Sequence, residues 1–217
     1  MYFEQILFIF VGIFLILWIL NYLKEVKLFK DCNYETLENK YKTIIDKNNT
    51  KFFQVAYLNL SAIYIFQQKY KEARECIDWL RNNRCNILIV DINEAVLLMR
   101  SEKNYSDAEK IINSALKKCN LFNYGYKIML CNNLIEVLYH TDRVKEAQEM
   151  LDKLLKKHKR NCMLLTTQAD LYFFQQDYIN AKLFYNKALK YINNNYHYAQ
   201  HKNHINENLN FINTNLK

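Results

Sequence analysis

At 217 residues with 51% apolar side chains, the chain has material for one domain plus a short appendage. Two glycines and no proline argue against turn-rich β folds and leave no glycine loop to cradle a phosphate. The formal net charge of +8 suits an anionic partner, but no nucleic-acid motif accompanies it.

The first feature in chain order is an uncharged run from Gln5 to Leu23. A helix of that length spans about 28 Å, the thickness of a bilayer core. Glu4 precedes it and Asn21-Tyr22-Leu23-Lys24 ends it, unlike the basic start and small-residue end of a cleaved signal peptide. The run reads as an uncleaved single-span anchor, with Trp18 and Tyr22 near the interface. Lys24, Lys27 and Lys30 follow it and no Lys or Arg precedes it, which places the rest of the chain on the cytoplasmic side. Tyr22, Val26 and Phe29 carry an apolar stripe past the span, so residues 1–30 make an anchor with a juxtamembrane extension.

Residues 31–52 hold one more helical stripe, Tyr34, Leu37, Tyr41, Ile44 and Ile45. Its only available first-helix partner is the tail of the anchor helix, across a hairpin-sized connection at Lys30 to Asn33. From residue 53 to 195 a two-helix pattern recurs four times. It runs Tyr57, Leu60, Ser61, Tyr64 with Tyr70, Ala73, Ile77, Leu80, then Ile92, Ala95, Val96, Met99 with Tyr105, Ala108, Ile112, Ala115. The third copy is Cys131, Leu134, Ile135, Leu138 with Val144, Ala147, Leu151, Leu154. The fourth is Leu165, Ala169, Tyr172 with Tyr178, Ala181, Tyr185, Ala188, Leu189. Small residues stand where two helices crossing in a hairpin must approach closely. The recurrent alanines Ala73, Ala108, Ala147 and Ala181 are separated by 35, 39 and 34 residues.

This frame resembles the tetratricopeptide repeat (TPR), whose period is about 34 residues. The resemblance implies an all-α fold: an N-terminal transmembrane helix, then an α-solenoid of about four helix-turn-helix repeats, then a capping helix over residues 196–217. Tyr198, Ile205, Leu209 and Ile212 supply the apolar face of that cap. The chain departs from the family in three ways. Cys85, Asn120, Lys159 and Asn193 stand where the family ends its helices with proline, and asparagines at 82–83, 120, 161 and 193–195 are expected to serve as left-handed stops. The 39-residue spacing implies about five extra residues near Leu121 to Tyr126. Ile135 replaces a small residue, so the third hairpin is expected to be splayed.

The family's usual role is to bind a protein or peptide in a concave groove lined by first helices. Mapped here, that groove comprises Leu58, Ile65, Phe66, Asn93, Arg100, Asn132, Glu136, Tyr139, Asp170, Phe173 and Phe174. The carboxylate clamp of some relatives does not match, because Leu58, Ala62, Met163 and Thr167 hold its positions. No nucleophile, zinc-protease or phosphate-loop motif occurs, so no catalytic residue and no cofactor are expected. His197, His201 and His204 share a helix face at i, i+4 and i+7, but no carboxylate or cysteine nearby completes a metal site, and a solvated face is the expectation. The cysteines form no C-x-x-C pair and read as buried or free thiols. Lys153, Lys156, Lys157, Lys159 and Arg160 read as a solvated helix end. Three functions follow: a membrane-anchored TPR scaffold at the cytoplasmic face, an accessory factor of a translocation or envelope-assembly machine, or a metal- or ligand-dependent enzyme or sensor using the histidines.

Overall fold

The computed structural model describes residues 19–20, 23–28, 31, 33–47, 52–85, 87–192 and 201–215. Residues 23–28 form α1. It is followed by α2 (Tyr34–Asp46), α3 (Phe53–Phe66), α4 (Tyr70–Asn82), α5 (Leu88–Leu97), α6 (Tyr105–Lys118), α7 (Tyr124–His140), α8 (Val144–Lys157), α9 (Cys162–Phe174), α10 (Tyr178–Ile192) and α11 (His201–Asn215). Successive helices fold back on one another, and the strongest packing falls within the pairs α3–α4, α5–α6, α7–α8 and α9–α10. The reason is the apolar spacing. Ala73, Ala108, Ala147 and Ala181 are all 0% exposed at the crossings, where a larger side chain would hold the backbones apart. Ile77, Leu80, Ile112 and Leu151 seal the same seams, each contributing about 1.5–3 kcal/mol by leaving water. The core therefore runs along the stack as three clusters, linked through Val96 and Leu155.

The turns inside the hairpins share one hydrogen-bond pattern. The N–H groups of Lys69, Arg143 and Asp177 donate to the carbonyls of Tyr64, Leu138 and Tyr172 at 2.8, 2.8 and 2.9 Å. The residue before each donor is left-handed: Gln68, Asp142 and Gln176 have φ of 59°, 59° and 60°. The N–H of Asn33 donates to Leu28 in the same way at 2.9 Å, so α1 stands to α2 as a first helix stands to a second. Leu28 packs into the cluster built on Leu37 and Tyr41, and Lys40 pairs with Glu25 at 2.5 Å.

The irregular periods have local causes. After α5 the chain makes a π-helical turn, Leu98–Glu102, and Asn104 reaches back to Leu98 at 3.1 Å, which takes up one residue more than the other turns. The 39-residue interval holds a 3-10 turn, Leu121–Asn123, running straight into the 17-residue α7. Ile135 is fully buried, and α7 and α8 meet over less of their length than α9 and α10.

One expectation is overturned. The asparagines do not end helices in the left-handed conformation; several begin the next one. Asn161 accepts from the Leu164 N–H at 3.2 Å, and Asn120 accepts from Phe122 and Asn123 at 3.0 and 3.2 Å. Asn33 and Asn104 cap α2 and α6 likewise. Asn83 closes α4 at φ −91°, and the left-handed residue there is Arg84. The side-chain oxygen answers an orphan N–H, and that outweighs asparagine's tolerance of positive φ. Asn193 to Asn195 lie outside the described residues.

At the C-terminal end Ile205 and Ile212 of α11 are 0% exposed against the last hairpin, with Leu209 beside them. Among the described residues no helix is long and apolar enough to cross a membrane. The run from Gln5 to Leu23 lies outside them apart from Ile19, Leu20 and Leu23, as do Trp18, Tyr22, Phe29 and Tyr198.

Candidate functional site: the first-helix face

The eleven groove positions divide into two sets. Ile65, Asn93 and Asn132 are 7%, 7% and 9% exposed and work between repeats. Asn93 donates to the Ser61 hydroxyl at 2.9 Å, and the Thr167 hydroxyl donates to Asn132 at 2.7 Å. These are ties, each joining one repeat to the next, and they leave little surface for a ligand. Leu58 is half-buried, and its carbonyl accepts from Ser61 at 2.7 Å.

The second set reaches the surface near the hairpin turns. Arg100, carried by the π-helical turn, pairs with Glu136 at 2.9 Å. Tyr139 stacks on Phe174 at 5.5 Å, and Phe174 meets Phe173 edge-on at 6.3 Å. Phe173 touches Tyr178, Tyr185 and Phe211 at 5.5, 6.5 and 5.5 Å. At the other end His140 stacks on Tyr105 at 4.9 Å and lies edge-on to Tyr139 at 5.7 Å. The rings thus form one connected strip from the second repeat to α11, and Phe174 is 57% and Phe211 47% exposed. Phe66 is separate from it, stacked on Tyr34 at 5.7 Å. Sequence reading missed Tyr105, Tyr178 and Phe211. The first two open second helices and passed as packing residues, and only the fold brings Phe211 alongside.

Asp170 is the most committed of the predicted groove residues. It accepts from the Tyr185 hydroxyl at 2.5 Å and from His204 at 2.8 Å, while Asn208 donates to Tyr185 at 2.6 Å. Burial, reinforced by Asp170, pushes the Tyr185 phenol well above its usual range. Accepting the hydrogen bond from His204, the Asp170 carboxylate stabilises the His204 imidazolium and raises its pKa. Burial instead pulls His201 down to about 4. His204 is thus spent on a tie between α9 and α11, and His197 lies outside the described residues. A matching acid sits at the other end. Glu38 of α2 is buried, which opposes its charge, but hydrogen bonds from Lys42 and Lys69 at 2.7 and 2.8 Å win and hold its pKa at about 2. Cys76, Cys85 and Cys162 are buried thiols, and burial pushes Cys76 up to about 12.

No protein-family model matches the chain, and no curated protein matches it in sequence. Its shape does have counterparts among solved structures. A tetratricopeptide repeat protein from Parabacteroides merdae is similar with a TM-score of 0.66 at 19% identity, over 86% of this chain and 68% of that one. The fold is TPR-like. The Pseudomonas aeruginosa protein pilF is similar with a TM-score of 0.50 at 16% identity, over 87% of this chain and 92% of that one. In TPR terms α3 to α10 are four repeats, and α11 lies where the first helix of a fifth would begin. Ties at a separation of 34 to 36 residues, such as Arg143 with Glu109, Arg100 with Glu136 and His204 with Asp170, are the repeat written in polar contacts.

Proposed function

We propose that the chain is a membrane-anchored TPR scaffold that binds a protein or peptide partner on its first-helix face, on the cytoplasmic side, by contact alone and without catalysis. The observation that carries the reading is the connected aromatic strip Tyr105–His140–Tyr139–Phe174–Phe173–Phe211. Exposed aromatics flanked by the Arg100–Glu136 pair match the usual anchors of a protein interface. The similarity to TPR structures supports the same reading. The anchor rests on the uncharged run before residue 24 and on the lysines that follow it.

Photocrosslinking in cells from position 211, on the exposed end of the strip, should capture a discrete partner. The double variant Tyr139→Ala, Phe173→Ala should lose it, with Phe174→Ala as the variant least able to disturb packing. Equal recovery by all three would place the interface elsewhere. Sidedness is checked separately: an impermeant thiol reagent should leave the half-buried Cys119 and Cys131 unlabelled in intact cells.

A further inference from the structure

We infer that the edge formed by the turns between repeats is a docking surface for an anionic lipid bilayer. The inference rests on the anchored reading only for the direction from which the bilayer approaches. Two observations meet at this edge. The first is apolar: Leu121 and Phe122, on the 3-10 turn that lengthens the third repeat, are 90% and 96% exposed. Asn120 holds that turn shut through two backbone hydrogen bonds, so the side chains stand on a fixed knuckle.

The second is charge. The Tyr124 hydroxyl lies 2.9 Å from His158, which brings the knuckle against the turn after α8. That turn carries Lys156, Lys157, Lys159 and Arg160 around an open depression of about 440 Å3. All four are exposed and have no acidic partner among the described residues. Lys117, at the end of α6, adds to them across the knuckle. The opposite edge, made by the turns within hairpins, is balanced. Lys69 is paired with Glu38, Arg74 with Glu102, and Arg143 with Glu109 and Glu146.

Helix direction fixes which edge can face a membrane. Because α1 turns into α2 as every first helix turns into its second, the N-terminal end of α1 lies on the edge where α6 and α8 end and α7 begins. A bilayer holding the uncharged run before residue 24 therefore meets that edge. An exposed Leu-Phe pair among unpaired lysines suits headgroup attraction followed by shallow apolar insertion. A nucleic acid would use the charge but leave Leu121 without a role. Two contacts, one at the N-terminal end of the stack and one at its third repeat, would lay the solenoid along the membrane.

The full chain carrying Phe122→Trp is mixed with phosphatidylcholine vesicles, with or without phosphatidylserine, containing brominated acyl chains; the unsubstituted chain supplies the background of Trp18 and Trp79. The expected result is added quenching at position 122 in anionic vesicles only. It should be lost in high salt and in the variant Lys156→Gln, Lys157→Gln, Lys159→Gln, Arg160→Gln, whose fold is checked by its melt. No added quenching in anionic vesicles overturns the inference, however tightly the chain binds. Absence of binding to neutral vesicles, with quenching at 122 retained in anionic ones, overturns the anchor and keeps the edge. Binding of duplex DNA or RNA without lipid quenching assigns the edge to nucleic acid and overturns the inference.

Discussion

The third and fourth hairpins solve one packing problem in different ways. In the fourth, Ala169, Ala181 and Ala188 are all 0% exposed, and α9 and α10 stay close along their length. In the third, only Ala147 is small at the crossing; Ile135 and Leu151 are fully buried, and α7 and α8 pack less extensively than α9 and α10. The third hairpin also follows the 3-10 turn and carries the longest helix among the described residues. Small residues set how closely two helices approach. The looser hairpin is the one that presents Leu121 and Phe122.

The sharpest way to break this comparison is to overfill both seams. Ala181→Phe should cost about 1–3 kcal/mol or more, because no gap exists to take the ring. Ala147→Phe should cost less, since α7 and α8 are already held apart by Ile135. Denaturant midpoints of the two variants measure the difference, and equal losses would show that the third hairpin is no looser than the fourth.

A smaller effect separates the ways the two hairpins begin. Asn161 caps α9 with one bond to Leu164, so Asn161→Ala should cost about 0.5–2 kcal/mol. Asn120 caps only a 3-10 turn on an exposed knuckle, and Asn120→Ala should loosen that turn while moving the global midpoint less. Hydrogen exchange at Phe122 and Asn123, set beside the melts, reads the local effect apart from the global one. A larger midpoint loss from Asn120→Ala would reverse the assignment.

Much of this architecture was legible beforehand because a helix spaces its buried residues regularly: the alanines at 73, 108, 147 and 181 located the four hairpins from α3 to α10. The extra residues near 121 were legible as a broken period, but not as an exposed knuckle, since exposure depends on what the neighbouring turn leaves uncovered. The role of the asparagines was misread because stop and start signals use the same residue within a few positions. The face mapped from the family mixed surface with seam. Phe174 and Asn132 both lie on first helices, yet one is 57% exposed and the other 9%. A single sequence fixes which helix face a residue occupies, not how near the next repeat stands.

The faintest contrast is in how the two hairpins respond to pH. Tyr185 stands four residues after its alanine, as Leu151 does in the third hairpin, and its hydroxyl joins Asp170, Asn208 and His204 in a polar tie that Leu151 cannot make. Asp170 raises the folded-state pKa of His204 above its ordinary value of 6.5. A raised pKa means that the folded state holds the proton more tightly, so the tie's contribution is complete below about pH 6.5 and fades as pH rises through the folded value. His201 runs the other way. Pulled down to about 4, it removes stability as pH falls from 6.5 toward that value. Subtracting the profile of His204→Gln from that of the unsubstituted chain isolates the tie. The difference in denaturant midpoint should be largest at the acid end and shrink toward alkaline pH. The solvent reaching this half-exposed pair keeps the change small. A difference that grows with pH would mean that Asp170 serves Tyr185 alone and that α11 is held to the fourth hairpin by Ile205 and Ile212 without help from the imidazole.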